Sequence, residues 1–274
     1  MPQLTIAILA GAGRFPLHVA QAAKRQGARV VALGIQGWVD PDLARHVDAY
    51  EDIKIGQLRR VIERLQFHRA SQVVLAGKVT KAVVLDPDAG FDADALEVLQ
   101  QAGGADVPKL VEAIGRTLRL AGLALVDPSP WLQSQVCPEG ALTARGPTTA
   151  EARDVEVGVR VARALAALDV GQTVVVKRGV VAAVEALEGT DDAIRRARRL
   201  AGEGVVVVKT AAAGQDRRMD LPVIGLQTVT TLIEAKATCL AVEAGSTLLL
   251  DREALLAAAN AAGVCVVGVN VRDS

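Results

Sequence analysis

The stretch LTIAILAGAGRFPLHVAQAAKRQGARVVALGI, residues 4–35, decides the fold. Leu4–Ala10 is a short apolar run with the length and bounds of a buried strand. Gly11-Ala12-Gly13 makes a tight turn, and Pro16 suits the first turn of a helix, where a missing N–H leaves nothing unpaired. That helix runs to about Gln26, Gly27 stops it, and Ala28–Ile35 reads as a second buried strand. Strand, turn, helix and strand in this order imply a right-handed crossover with parallel strands.

The pattern continues outward. Gly56–Phe67 is amphipathic, Ser71–Ala76 is the next strand, residues 92–102 and 106–121 are helical, and Leu123–Val126 is a short strand. Residues 1–130 are therefore expected to form a Rossmann-like domain with a parallel sheet. The segment 131–147 is proline- and glycine-containing, the least periodic of the chain, and reads as a linker. Residues 148–274 open with a helix from Thr149 to Leu168, for which Thr148 or Thr149 is the cap. Strand patterns follow at Thr173–Lys177, Val180–Ala186, Gly204–Lys209, Val223–Gly225, Cys239–Glu243 and Val264–Val269. Helices at Asp191–Leu200, Thr228–Ala237 and Arg252–Ala262 alternate with them. The fold class is α/β, with two domains whose second half is a distinct α/β unit because it opens on a hairpin.

Composition narrows the function. The chain has 274 residues, 51% hydrophobic and 23% charged, with 31 basic residues balancing 31 acidic ones. No global field draws in nucleic acid. Two Trp, one Tyr and three Phe are too few for base-stacking platforms. The three cysteines, Cys137, Cys239 and Cys265, form no C-x-x-C, which speaks against thiolate metal sites and a disulfide framework and for a cytoplasmic setting. No apolar run is long enough to span a bilayer.

Two glycine turns mark the first half. Gly11-Ala12-Gly13-Arg14-Phe15-Pro16 shares two glycines with the dinucleotide fingerprint, but Pro16 replaces the third, and the second strand ends in Gly34-Ile35-Gln36-Gly37 without the acid that holds a ribose. The turn serves either backbone geometry or a phosphate contact, and a nicotinamide-dependent oxidoreductase is the weaker alternative. Gly77-Lys78 follows the third of these strands, at the edge where open α/β sheets bind ligands. His18, His46 and His68 carry no metal or catalytic spacing.

The second half holds the sharper signals. Glu185-Ala186-Leu187-Glu188-Gly189-Thr190-Asp191-Asp192 gathers four carboxylates at a strand-to-helix turn. Capping by Thr190 or Asp191 accounts for part of it. Lys209 through Asp220 runs from a strand end through Gln215, Asp216, Arg217 and Arg218. Hard oxygen ligands suit Mg²⁺, and the cations would offset charge on phosphate oxygens.

Taken in order, Ala10–Pro16, Ala76–Val79, Glu188–Asp191, Lys209–Gly225, Glu243-Ala244-Gly245 and Asp251 resemble the LpxI-type UDP-2,3-diacylglucosamine pyrophosphatases of lipid A biosynthesis, across nearly the whole chain. The resemblance implies Mg²⁺-dependent hydrolysis of UDP-2,3-diacylglucosamine to UMP and 2,3-diacylglucosamine 1-phosphate, by water attacking the sugar-side phosphorus. It places the essential aspartate of an Arg-x-Asp-Leu-Pro motif on Asp220, and implies a homodimer. Joined to the residue reading, it makes Asp220, Asp191 and Glu188 the catalytic candidates, with Asp220 and Asp191 as metal ligands. Gly11, Gly13, Arg14, Phe15, Gly77, Lys78, Thr190, Lys209, Gln215 and Arg218 are the expected substrate contacts. A lipid-linked nucleotide sugar is the expected partner; contact with the inner membrane surface is open, since no basic amphipathic helix marks it. The remaining alternative is a non-catalytic carrier or sensor of nucleotide sugars or lipids.

Overall fold

A computed structural model describes residues 3–79, 90–103, 107–211 and 221–271. Among these, the chain divides into two compact units, one through Gln133 and the other from Ser134 onward.

In the first unit β1 (Thr5–Ala10) leads through its glycine turn into α1 (Phe15–Arg25), with Pro16 in the first turn as its fixed φ favours. β2 (Arg29–Ile35), α2 (Leu43–His46), β3 (Ala49–Ile53), α3 (Leu58–Phe67) and β4 (Gln72–Ala76) follow, then α4 (Ala93–Gln101), α5 (Val107–Leu120) and β5 (Ala124–Leu125). The five strands pair in parallel in the order β3-β2-β1-β4-β5. Ala7, Val31, Leu33, Val73 and Leu118 are fully buried or nearly so between sheet and helices. The Rossmann-like expectation holds for this unit. β3 and α2 add to the elements expected: AYEDI is an edge strand with Ile53 as its one buried residue, so it carries no apolar run.

The second unit begins in a short 3-10 turn, Ser129–Gln135, that starts in the first. β6 (Gly140–Ala141) lies within the segment read as a linker and pairs antiparallel with the last strand, β13 (Cys265–Val269). Arg145 of that segment donates to the Gly263 carbonyl at 2.7 Å and to both oxygens of Glu151 at 2.9 Å. Glu151 in turn closes a capping box with Thr148 at the start of α6 (Thr149–Ala167). Burial opposes the charge of Glu151, but Arg145 and the Thr148 amide prevail and hold its carboxyl down at about 2.

After α6 come β7 (Thr173–Lys177), β8 (Val180–Val184), α7 (Thr190–Ala201), β9 (Val206–Lys209), β10 (Val223–Ile224), α8 (Leu226–Glu234), β11 (Cys239–Glu243), β12 (Leu248–Leu249) and α9 (Arg252–Ala261). The main sheet runs β6-β13-β11-β9-β7-β8, with β13, β11 and β9 parallel and β7 antiparallel to both its neighbours. β10 and β12 form a separate parallel pair. A bulge falls between Val175 and Val176 on the β8 side only. Gly158 brings α6 down onto β9, because a Cβ there would meet Val208 at 2.4 Å. Val207, Leu240, Val242, Val266 and Ile194 form the larger core. Cys137, Cys239 and Cys265 are buried free thiols. No helix among the described residues is long and apolar enough to cross a membrane.

Candidate active site

The carboxyl edge of the second sheet collects polar groups around one residue, Thr190. Because β7 runs against β9, its first residue, Thr173, lies opposite Lys209, the last of β9. Thr190 opens α7, whose cap is Gly189 at φ +85°, with no side-chain capping bond. This corrects the capping expectation for Thr190 and Asp191: glycine takes the turn in a left-handed conformation, and the threonine side chain is left for other partners. Its hydroxyl donates to Glu185 Oε1 at 3.0 Å, lies 3.2 Å from the fully buried Thr173 hydroxyl, and accepts from Lys209 Nζ at 3.2 Å. Lys209 Nζ also reaches the Val223 carbonyl at 3.5 Å.

Asp191, the next residue, has a buried Oδ1 without a hydrogen-bond partner. An orphaned carboxylate oxygen is costly unless something binds it. Thr210, directly after Lys209, is fully buried with an unpartnered hydroxyl. Glu243, at the end of β11, accepts from the Ala211 amide at 2.9 Å and from the Ser246 hydroxyl at 3.2 Å, which fixes the exit of β9.

Glu188 stands apart from this network. Its carboxylate pairs with Arg196 and accepts from the Ala186 amide at 3.2 Å. Burial works against its ionised form, yet these bonds leave its carboxyl below the usual range. Gln215, Arg218 and Asp220 lie outside the described residues. The described residues contain no group of three His, Cys, Asp or Glu able to hold a metal. Asp191 has a buried oxygen to spare, which fits it to share a hard cation with ligands from elsewhere. Thr173 carries no motif; only the antiparallel register places it in the network, so no local pattern marks it.

In the first unit, the two glycine turns are bonded to each other. Gly11 N–H donates to the Ala76 carbonyl, Ala12 N–H to Lys78, and Lys78 N–H back to Ala12, at 2.8–2.9 Å. Those three amides are thus committed within the protein. Arg14 and Lys78 are exposed, Gly13 adopts φ +89° and Phe15 is buried at the start of α1. Tyr50 of β3 lies across Gly34, so close that a Cβ there would meet its oxygen at 2.3 Å, and it donates to Asp52 at 2.9 Å. Burial and then Asp52 push the phenol up to about 12. The end of β2 is therefore covered by a ring where a dinucleotide site presents a ribose-binding acid. His18 is buried in α1, and His68 pairs with Glu51. A cavity of about 440 Å³ lies at the opposite edge of this sheet, between Leu4, Gln72, Asp127 and Trp131, and holds none of the groups above.

An α/β unit with a lysine, a free carboxylate oxygen and hydroxyls at the carboxyl edge of its strands suits an enzyme acting on phosphate esters or anhydrides. Residues 5–135 match the LpxI N-terminal domain and residues 138–267 the LpxI C-terminal domain. The chain belongs to the LpxI family. It is 29% identical over 282 aligned positions, covering 98% of both chains, to the UDP-2,3-diacylglucosamine pyrophosphatase LpxI of Caulobacter vibrioides. Among solved structures it is similar to a biotin carboxylase domain of the Hydrogenobacter thermophilus 2-oxoglutarate carboxylase, at 13% identity and TM-score 0.30, covering 76% of this chain and 44% of that one. A glycinamide-RNase-transformylase T from Mycobacterium tuberculosis matches at 20% identity and TM-score 0.26, over 50% of this chain and 37% of that one. The chain spans less than half the length of these structures, and likenesses so low carry no argument.

Proposed function

We propose that this chain is a hydrolase that cleaves the pyrophosphate bond of UDP-2,3-diacylglucosamine, with water as the nucleophile, giving UMP and 2,3-diacylglucosamine 1-phosphate. The observation that carries this reading is the anchored Lys209 ammonium at a strand's carboxyl end, in the same network as the helix start that bears the unpartnered Asp191 oxygen. A fixed cation stabilises charge that develops on phosphate oxygens, and costs no reorganisation when the reaction occurs. The name of the Caulobacter relative, over nearly the full length of both chains, supports the substrate.

In this reading Asp191 and Asp220 would hold Mg²⁺, whose remaining ligands would be water and phosphate oxygens, as is usual for this ion. Bound there, the metal would draw off negative charge from the phosphates. Asp220 would also orient the attacking water, and Lys209, Gln215 and Arg218 would hold the diphosphate. Thr190 would position Lys209. A homodimer, and contact with the membrane surface that supplies the lipid, belong to the same reading.

The test is turnover by purified protein with UDP-2,3-diacylglucosamine, with Mg²⁺ and with excess chelator. UMP and 2,3-diacylglucosamine 1-phosphate formed only with the metal are the expected result. Saturable binding without product would replace this reading with a carrier, and neither binding nor product would overturn the substrate.

A further inference from the structure

We propose that Glu185 is a positioning residue that fixes the Lys209 ammonium through the hydroxyl of Thr190. The inference rests on the reading of Lys209 as the group that holds the substrate's phosphates. A threonine hydroxyl has one proton and two lone pairs. In Thr190 the proton goes to Glu185 Oε1 at 3.0 Å, so both lone pairs face donors: the Thr173 hydroxyl and Lys209 Nζ, each at 3.2 Å. Glu185 thereby dictates that Thr190 presents an acceptor, never a proton, to the lysine.

The remaining contacts do not hold the ammonium equally well. Its other bond, to the Val223 carbonyl, is 3.5 Å long, at the outer limit of a hydrogen bond. Among the described residues Lys209 Nζ has these two partners, Thr190 and the Val223 carbonyl. Without the Glu185 carboxylate, the Thr190 proton could turn toward the lysine, and the ammonium would lose its better anchor.

A purely structural role for this pair is poorly supported by its surroundings. α7 is capped by Gly189 without help from a side chain. The backbone of Glu185 is held separately, by its own N–H to the Thr173 carbonyl at 2.8 Å and by close packing of Gly171 on its carbonyl. Among the described residues, the carboxylate's second oxygen receives a 3.4 Å bond from the Gln172 backbone N–H.

The experiment is a double-mutant cycle with Glu185→Leu, Thr190→Val and the pair together, with Glu185→Gln and Thr190→Ser as conservative variants. Two readouts are taken on the full chain. One is the rate at which Lys209 is acetylated by an amine reagent, followed by mass spectrometry of its peptide. The other is kcat and KM for UDP-2,3-diacylglucosamine. Each disruptive variant is expected to speed acetylation of Lys209 several-fold and lower kcat/KM by roughly tenfold or more, the scale of a hydrogen bond to a charged group. The double variant should be no worse than the worse single one, because both act through one chain of bonds. Glu185→Gln and Thr190→Ser, which keep the acceptor and the hydroxyl, should recover most of the loss.

Wild-type acetylation and turnover in a folded Glu185→Leu protein would overturn the proposal, as would losses that simply add. If Glu185→Leu does not fold, Thr190→Val compared with Thr190→Ser decides the matter. If the wild-type protein turns over no substrate, the functional reading falls, while the acetylation cycle still decides whether Glu185 positions Lys209.

Discussion

A methyl group placed on Gly77 would lie 2.7 Å from the carbonyl carbon and oxygen of Gly11. These two turns, one after β1 and one after β4, meet backbone to backbone. Gly77 also sits at φ +94°, a region that costs an L-residue about 1–3 kcal/mol. Gly77→Ala should therefore destabilise the first unit by more than about 2 kcal/mol, read as a lower urea midpoint at an unchanged slope. A wild-type midpoint would mean that the two turns part freely.

Substitutions of Asp191 and Asp220 should separate function from stability. Asp220→Ala and Asp191→Asn should each lower kcat by about two orders of magnitude or more, on the scale of a lost charge-stabilising contact. For Asp191→Asn, loss of a favourable charge at a helix start opposes relief of the orphaned oxygen. The net change in unfolding free energy should stay within about 1 kcal/mol. Calorimetry beside the turnover assay checks both; an unfolded Asp220→Ala protein would remove its catalytic assignment.

Acid should loosen the second unit at a definite point. Glu151 is held at about 2 in the folded chain, below its ordinary 4.5. Its contribution is complete above about pH 4.5 and is lost as pH falls toward 2, and it amounts to at most about 3 kcal/mol. Arg145→Met, which removes the guanidinium, should flatten stability against pH in that window. Urea titrations from pH 2 to 6 test this, and identical slopes in the two proteins would contradict it.

Gly158 offers a test of how α6 sets the position of β9. Alanine gains about 1 kcal/mol of helix propensity, while overpacking costs about 1–3 kcal/mol. With Val208 Cβ itself 2.9 Å from the new methyl, the clash is with a stiff β-branched residue, and Gly158→Ala should come out destabilised. Because Val208 precedes Lys209, kcat/KM should fall as well. A more stable and fully active variant would show that the helix slides without moving the strand.

The sequence signals and the structure part company at identifiable residues. β1, α1 and β2 are legible because an unbroken apolar run, a glycine turn and an amphipathic helix each carry their own period. β3 is not, because four of its five residues remain partly or well exposed. The α7 start misleads for a different reason: Thr190 is a good capping type, but Gly189 with its positive φ makes the cap unnecessary. In the site, Thr190 and Lys209 stand out as local motifs. Thr173 does not, since strand direction alone brings it opposite Lys209. Likewise, the glycines at 11 and 77 each read as separate local turns, and only the folded chain brings them into mutual contact.

The bulge between Val175 and Val176 has a bearing on how this fold can vary. Pairing of β7 with β9 is continuous from Thr173–Lys209 to Val176–Val206, and the irregularity is confined to the β8 side. A one-residue slip of β7 against β9 would turn its side chains to the opposite face. The irregular side instead lets β8 and its hairpin tip change length while Lys209 and Thr173 keep their places. Insertions near Arg178-Gly179 are thus a route by which the outer edge of the domain can diverge while its chemistry stays put.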